Sequence, residues 1–579
     1  MQPDLTPSAP PGPRPPAPAD LPWRVLRLLN LFRLIVPMAL LVVFFFDATP
    51  RSVGALSPGM FIGVCAAWFA FGIASIQALQ KRWPSAEWLT LFQLGADTIS
   101  LGADGNCRMC LVGIEDGRPP LVPACKTRVA EGMKVQLDAD KIKKIQHDVM
   151  EFELINHPID CPICDQAGEC KLQDYYMKYD GQKSRMTVKP VYKAKKLDFG
   201  CGVVHDQERC VLCARCVRFT RMITKTGELG IVNRTDAARV NIFPGRPLNN
   251  RYALNVVDLC PVGAMTSRDF RFKQRSWFLT KSPSICHGCS KGCNIFIDHN
   301  REKYKDDVIY RFRPRLNSQV NGYFMCDHGR MTYKLENDNR LTTAWIAGRE
   351  ASVSEGVEAV RRAISQAKKA VLLVSPNCSL EQMLAVQRLA AAIGAQVSGY
   401  SDGMIKQGDA DGYLIQDDKS ANRAGLALLG IDATKAGFDA AIQGADLLVC
   451  FQNDLSLSLA EADLAALMEK LSTVYVGSYQ NDFSAKTTLR LPTASYSEDT
   501  GLIVNCDGIL QQYKTAVVKN SPATGLGQMV QLLGGSIESH AQALAELKST
   551  ITALQSVDFE QMPTEGIALT ASEVAHVAA

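Results

Sequence analysis

The sequence predicts a multidomain chain of mixed α/β and α+β class: an apolar two-helix hairpin, a run of small cysteine-organised modules, and a parallel α/β domain. Three observations predict it. Two long, nearly uncharged apolar runs occupy most of the first 80 residues. Fifteen of the 19 cysteines fall between Cys107 and Cys326. Beyond residue 341, short apolar runs alternate with helical patterns, as in a layered sheet.

A chain of 579 residues has room for three or four domains. Hydrophobic content of 47% and charged content of 21% are ordinary for globular protein. The net charge of +4 leaves no nucleic-acid footprint in the totals. Disulfide frameworks belong to small secreted domains. Cysteines grouped as C-x-x-C in a long chain point instead to metal ligation in a reducing compartment.

Residues 1–22 are proline-rich and read as a disordered arm. Residues 23–95 read as a transmembrane helical hairpin. Leu28–Phe46 carries one charge, Arg33, and Ala55–Leu79 carries none; each is long enough to span a bilayer as a helix. Trp23, Trp83 and Trp88 flank the runs as interfacial aromatics do. Arg14, Arg24 and Arg27 precede the first run, and Lys81 and Arg82 follow the second; the loop between holds Asp47 and Arg51. The positive-inside rule then places both ends in the cytoplasm. The first run is too long for a cleavable signal peptide, and a second follows it.

Four cysteine sets come next. Cys210, Cys213 and Cys216, with Cys260-Pro261 downstream, repeat the C-x2-C-x2-C and C-P elements of bacterial ferredoxins. Zinc prefers paired C-x-x-C or C-x-x-C with histidine, so this spacing favours a [4Fe–4S] cluster. Cys286, Cys289 and Cys293, with Cys326, form a second four-thiolate set. Alone it suits zinc as well; beside a ferredoxin-like set, iron–sulfur is favoured. His157, Cys161, Cys164 and Cys170 form a third, and in isolation they could equally be a Cys3His zinc site. Cys107, Cys110 and Cys125 form a fourth set, one donor short of four.

From residue 341 the texture changes. Ala370–Val374, Ala445–Cys450 and Thr473–Gly477 read as strands, and Leu380–Gly394 and Leu459–Leu471 as helices. This alternation argues for a parallel sheet. His540–Val557 has helical periodicity, and the last twenty or so residues read as loose. Cys378, Cys450 and Cys506 lie in or near apolar strands, where a buried structural thiol is expected. Cys201 reads as a free thiol.

Three runs carry a family resemblance: Asn156-His157-Pro158-Ile159-Asp160-Cys161-Pro162-Ile163-Cys164-Asp165-Gln166-Ala167-Gly168-Glu169-Cys170; Arg209-Cys210-Val211 through Cys216-Val217-Arg218-Phe219; and Asp258-Leu259-Cys260-Pro261-Val262-Gly263-Ala264. In this order they resemble the large iron–sulfur subunit of NADH-quinone oxidoreductase (respiratory complex I). The likeness covers about 105–515 and is most specific over 150–280. It implies a partial [2Fe–2S] ferredoxin-like (β-grasp) segment at 100–140, a His/Cys3 [4Fe–4S] module at 141–185 and a ferredoxin-like [4Fe–4S] module at 186–278. It further implies a [4Fe–4S] module of molybdopterin-oxidoreductase type at 279–340 and a degenerate molybdopterin-oxidoreductase-like α/β domain at 341–579. It implies that His157 ligates iron; a neutral donor in place of a thiolate shifts a cluster potential upward.

The chain departs from the family at its start. Asn106-Cys107-Arg108-Met109-Cys110-Leu111-Val112 with Cys125 resembles the second half of the family's [2Fe–2S] domain, but no cysteine stands a dozen residues before Cys107. Asp97, Ser100 and Asp104 stand there instead, and the next upstream cysteine is Cys65. The site is expected to be incomplete, with three thiolates and at best an oxygen ligand. Residues 1–100 loosely resemble the membrane anchor of a bacterial sensor histidine kinase, which suggests a fusion joined near residue 100.

The stretch after Cys326 is short for a full pterin enzyme, and Cys326-Asp327-His328-Gly329-Arg330 has His328 where those enzymes resemble one another in having lysine. Molybdenum is therefore not expected. The segment from Leu491 to Gly501 resembles the family's late motif. The resemblance implies electron relay within NADH:quinone oxidoreductase, with no catalytic pair on this chain. NADH would be oxidised at a flavin subunit, since no glycine-rich dinucleotide fingerprint follows a strand here. The expected partners are that flavin/NADH-binding subunit, other peripheral-arm subunits and the membrane. The expected location is the bacterial inner membrane with the cluster domains on the cytoplasmic side. The alternatives are a molybdopterin oxidoreductase such as a formate dehydrogenase large subunit, a membrane-bound redox sensor, or a chimera that joins no complex.

Overall fold

The computed structural model describes residues 105, 107–115, 121–179, 185–187, 189–300, 308–517 and 524–569. All lie in the second of two compact units, Ala103–Ala579. The proline-rich arm, the hairpin at 23–95 and residues 570–579 fall outside the described residues. Among the described residues, no helix is long and apolar enough to cross a membrane.

The first described module is a three-stranded antiparallel sheet, with Leu111–Ile114 between Leu121–Pro123 and Val135–Gln136. The helix Asp140–Leu154 buries Ile142 and Met150 beneath it. Next come the helix Lys171–Tyr179 and a second small sheet of Leu197–Gly200, Val203–His205 and Met265–Ser267. A third antiparallel sheet carries Thr280–Ile285, Asn294–His299 and Ile309–Pro314 in that neighbour order. These sheets are too small to hold large cores. Long-range polar ties between their loops fix the cysteine segments instead.

The α/β domain is built around a seven-stranded sheet. Its order is Arg349–Ala351, Ala344–Ile346, Leu489–Pro492, Ser472–Gly477, Leu447–Phe451, Ala370–Val374, Gln396–Ser398. The last five strands are parallel, and the first two add antiparallel edges. Ala370–Val374 reads as an unbroken apolar run because both faces are covered. Leu372 and Val374 join one buried cluster with Val449 and Val476, while Val371 and Leu373 join another with Leu448 and Tyr475. Two of the long helices start on capping boxes, Ser352 with Glu355 and Ser379 with Gln382. The second stops at Gly394, whose φ of 71° a side chain would resist.

Element ends shift slightly from the sequence reading. The expected strand at Ala445–Cys450 runs Leu447–Phe451, and the expected helix at Leu459–Leu471 runs Glu461–Lys470. The periodic stretch His540–Val557 is a helix only to Thr550, followed by a 3-10 turn at Thr552–Leu554. Cys378 and Cys450 are buried as expected, but Cys506 is exposed. It sits in the Asn505–Gly508 turn after the strand Gly501–Val504. Asn505 Oδ1 accepts the Asp507 and Ile509 amides there, and Gly508 takes φ 73°. The tight turn, rather than the strand, decides where that side chain points.

The crevice at the carboxyl ends of Ala370–Val374 and Leu447–Phe451 is the switch point of this sheet, where such domains commonly take ligands. Here the chain's own amides cross it. Asn453 Nδ2 donates to Tyr400 O at 3.1 Å, Asn422 Nδ2 donates to Cys378 O at 2.8 Å, and Ala421 N donates to Asn377 Oδ1 at 2.9 Å.

Candidate iron–sulfur sites

His157, Cys161, Cys164 and Cys170 line one cavity, of about 420 Å³ including its mouth. Cys161 opens a 3-10 turn with Pro162 behind it, and Gly168 makes the return to Cys170 with φ 81°. Three arginine and serine ties hold the loop. Arg209 grips Asp160 with two nitrogens, at 3.0 and 2.6 Å. Arg275 donates to the Cys164 carbonyl at 2.7 Å and also to the Pro162 carbonyl. Ser276 Oγ donates to Ala167 O at 2.8 Å. Burial works against the Asp160 carboxylate, but the Arg209 hydrogen bonds and charge outweigh it and hold its pKa below the usual range. Burial lowers the His157 pKa, which favours the neutral ring, and His157 Nδ1 is buried without a hydrogen-bond partner. A neutral imidazole with an idle nitrogen is what metal ligation requires.

Cys210, Cys213, Cys216 and Cys260 line a second cavity, of about 320 Å³. Leu212 and Ala214 both take left-handed backbone, φ 52° and 56°, between the cysteines. A left-handed residue costs on the order of 1 kcal/mol, and alternating it with ordinary residues turns three successive thiols toward one side. The segment from Cys260 to Met265 returns along the small sheet, where Asp206 N donates to Ala264 O at 2.8 Å. Pro261, Val262 and Ala264 face this cavity, while Gly263 faces the first. A Cβ at Gly263 would stand 2.1 Å from Cys164 Sγ. One five-residue segment therefore walls both cavities.

Cys286, Cys289, Cys293 and Cys326 are all buried. Cys286 and Cys293 close the base of a loop between strands, with Cys286 N donating to Cys293 O at 2.8 Å. Cys326 caps the helix Asp327–Met331, its sulfur accepting from Gly329 N at 3.3 Å; Cys286 Sγ accepts from Gly288 N at 3.4 Å. Such N–H···S bonds favour thiolate and tune a cluster. Gly288 and Gly329 are small of necessity: a Cβ at Gly329 would lie 2.9 Å from Cys286 Sγ. The loop seats on the α/β domain through Ser290 N to Asp418 O, Cys506 N to Ser290 O, and a Lys291–Asp507 ion pair at 2.7 Å. Arg330 pairs with Asp258 at 2.5 Å, two residues before Cys260, and ties this set to the previous one.

In the fourth set, the Cys110 and Cys125 thiols stand close enough to perturb one another, and Cys107 lies within electrostatic reach. Burial, then Cys110, pushes the Cys125 thiol up to about 11.

The donor sets can be tested for fit. Burial raises the thiols of Cys164, Cys170, Cys216, Cys286, Cys289 and Cys293, with Cys210 and Cys326 at about 11 and Cys260 at about 12. Four buried sulfurs at these values need a compensating cation to become thiolates. Zinc draws its donors to about 2.0–2.3 Å from one point. In the first two sets the donors instead ring a cavity, which suits a multi-iron cluster taking each ligand on a separate iron. The three four-donor sets fit [4Fe–4S] clusters. The fourth does not fit a [2Fe–2S] cluster, because residues 66–106 hold no cysteine to complete it.

The sequence reading gave no role to Arg209, Gly263 or Arg275. Gly263 is legible only as part of the Cys260-Pro261-Val262-Gly263 run, and Arg275 lies in a segment with no motif at all.

Comparison with known proteins first defines a class. Four family models match along the chain: 2Fe-2S iron-sulfur cluster binding domain over 76–140, NADH-ubiquinone oxidoreductase-G iron-sulfur binding region over 146–185, NADH-quinone oxidoreductase subunit 3 ferredoxin-like domain over 200–266, and molybdopterin oxidoreductase Fe4S4 domain over 279–338. The cysteine-bearing stretch thus carries cluster-binding domains of both the 2Fe–2S and 4Fe–4S kinds. The first match starts upstream of the expected boundary at residue 100, so the expected join falls inside it.

The particular likeness is to the G-type subunit of NADH-quinone oxidoreductase. That subunit from Streptomyces coelicolor is 37% identical over 252 residues, covering 43% of this chain and 29% of its own. The Rickettsia conorii one is 35% identical over 297 residues, covering 50% and 43%. The Mycobacterium bovis one is 39% identical over 238 residues, covering 40% and 29%. The chain spans less than half the length of these curated relatives. A crystal structure of an NAD+-reducing [NiFe]-hydrogenase covers 30% of this chain and 75% of its own at 23% identity, with a TM-score of 0.26.

Proposed function

We propose that this chain relays electrons, one at a time, through iron–sulfur clusters as the large iron–sulfur component of an NADH:quinone oxidoreductase. The observation that carries this is the pair of cavities, each lined by a complete four-donor set and sharing the Cys260–Ala264 wall. Clusters held there would supply one-electron carriers separated by a single strand of backbone. His157, Cys161, Cys164 and Cys170 would hold the first; Cys210, Cys213, Cys216 and Cys260 the second; Cys286, Cys289, Cys293 and Cys326 the third. The protein's part is to fix these donors, exclude water and set potentials through Gly329 N, Gly288 N and the buried arginine pairs. In this reading electrons enter from a flavin/NADH-binding subunit and leave toward quinone-side subunits of a membrane-associated complex, the cluster domains facing the cytoplasm.

The test is iron and acid-labile sulfide content with EPR of the dithionite-reduced chain after anaerobic purification. Up to three [4Fe–4S] signals are expected, each reducible by a single electron. Stoichiometric zinc in place of iron would overturn the proposal. The molybdopterin Fe4S4 match at 279–338 favours a second reading, a molybdopterin oxidoreductase. Molybdenum in the purified protein would support that reading; the amides crossing the switch-point crevice argue against it.

A further inference from the structure

The misfit of the fourth set has its own chemistry. Leu111 pairs with Pro123, and Ala124 N donates to Cys110 O at 2.9 Å. This register carries Cys125 to the neighbourhood of Cys110, where the two thiols perturb one another. A turn at Pro123, whose carbonyl accepts from Lys126 N and Thr127 N, holds Cys125 in place. Both thiols are half-buried and reachable from solvent, unlike the sealed set around Cys286. Cys107 is exposed and acts on Cys125 only through its charge. The segment contains two neighbouring thiols, a third within electrostatic reach, and no fourth to make a cluster outcompete their joining.

We propose that Cys110 and Cys125 form a reversible dithiol–disulfide pair, oxidised by small-molecule disulfides such as glutathione disulfide. One thiolate of the pair attacks a sulfur of that disulfide. An S–S bond forms between protein and glutathione, and the old S–S bond breaks to release one glutathione thiolate. The second protein thiolate then attacks the protein sulfur of the mixed disulfide, closing Cys110–Cys125 and releasing the second glutathione. The protein gives up two electrons and two protons, and one glutathione disulfide becomes two glutathiones. The oxidised pair has no free thiolate for iron, so this site switches between a closed disulfide and open thiols. The inference stands independently of the relay proposed above.

The sequence supplies a convenient readout. Trypsin cuts after Arg108 and Lys126 and poorly at Arg118-Pro119, so the peptide 109–126 carries both cysteines and excludes Cys107. The full chain, purified anaerobically, is equilibrated in glutathione buffers of rising disulfide fraction, quenched with a thiol-alkylating reagent, digested and weighed. Peptide 109–126 should pass from doubly alkylated to unalkylated and lighter than the free dithiol by two hydrogen atoms. Cys107→Ser should leave that passage intact, and Cys125→Ser should abolish it, Cys110 remaining alkylated or glutathionylated. The proposal is overturned if peptide 109–126 stays doubly alkylated at every ratio. It is equally overturned if Cys107→Ser removes the closed form, or if a [2Fe–2S] signal persists at unchanged occupancy through the oxidising buffers.

Discussion

Replacing Gly263 by alanine tests the shared wall directly. The backbone at Gly263 does not demand glycine, since its φ lies outside the left-handed region. Only space is at issue. The new Cβ would lie 2.1 Å from Cys164 Sγ, with Gln166 Cβ at 3.4 Å and Arg209 Cδ at 3.7 Å. Ordinary contact begins near 3.4 Å, so the sulfur or the wall must retreat by about 1.3 Å, the difference between those two distances. Cys164 cannot yield freely, because its carbonyl is held by Arg275 and its neighbour Asp165 accepts Phe272 N at 2.9 Å. Overpacking of this kind costs about 1–3 kcal/mol, and the group displaced is a proposed iron ligand. The chain should therefore still fold, with a lowered urea midpoint, but lose one [4Fe–4S] cluster. Iron and sulfide should fall by one third, and one EPR signal should vanish. The Cys286 signal should be unchanged, and the Cys210 signal should shift in position without disappearing. Full iron content with all spectra as in the parent would refute the idea that this segment walls the His157 cavity.

Three further outcomes follow from the same geometry. His157→Cys should keep its cluster while lowering the potential by on the order of 100 mV, because a thiolate replaces a neutral donor; an EPR redox titration showing no change would mean that His157 is no ligand. Arg330→Ala strands Asp258 beside Cys260, and breaking a buried pair costs about 3–5 kcal/mol, or about 2–3 kcal/mol with Asp258 partly exposed. Urea unfolding at unchanged slope should read that loss, and a shift near zero would contradict it. Cluster-free protein should weaken as pH rises. Burial lifts Cys210 and Cys326 to about 11 and Cys260 to about 12, above the unfolded value of 9.0. The stability these protonated thiols contribute is full below pH 9 and drains as pH climbs through their folded values. Loaded protein, its sulfurs bound to iron, should lack this decline relative to the cluster-free form; parallel profiles for the two would sink the idea.

Much of this molecule is legible in the chain. The spacing of Cys210, Cys213 and Cys216 names its chemistry because ligand geometry is local, and capping boxes at Ser352 and Ser379 mark helix starts for the same reason. The parallel strands are legible because both their faces are apolar. What is not legible is everything set by partners distant in sequence. Arg275 reaches back 111 residues to the Cys164 carbonyl, and Arg330 reaches 72 residues to Asp258. No periodicity encodes such ties. The left-handed turns at Leu212 and Ala214 are hidden for a different reason: neither residue type favours that conformation, so the cysteine geometry must impose it. The exposure of Cys506 is hidden too, because a strand pattern says nothing about where the following turn points a thiol.

The wall from Cys260 to Ala264 also bears on how the protein matures. Its first residue belongs to one donor set, and its fourth presses on a cysteine of another. Until that segment settles, both cavities lack a side. Whichever cluster is inserted first immobilises the segment, and the entropy of ordering it, about 1–2 kcal/mol per residue, is spent before the second cluster arrives. Insertion should thus be cooperative, and partially filled chains should be scarcer than independent filling predicts. A biosynthetic machine need recognise only one open cavity to bring the pair to completion.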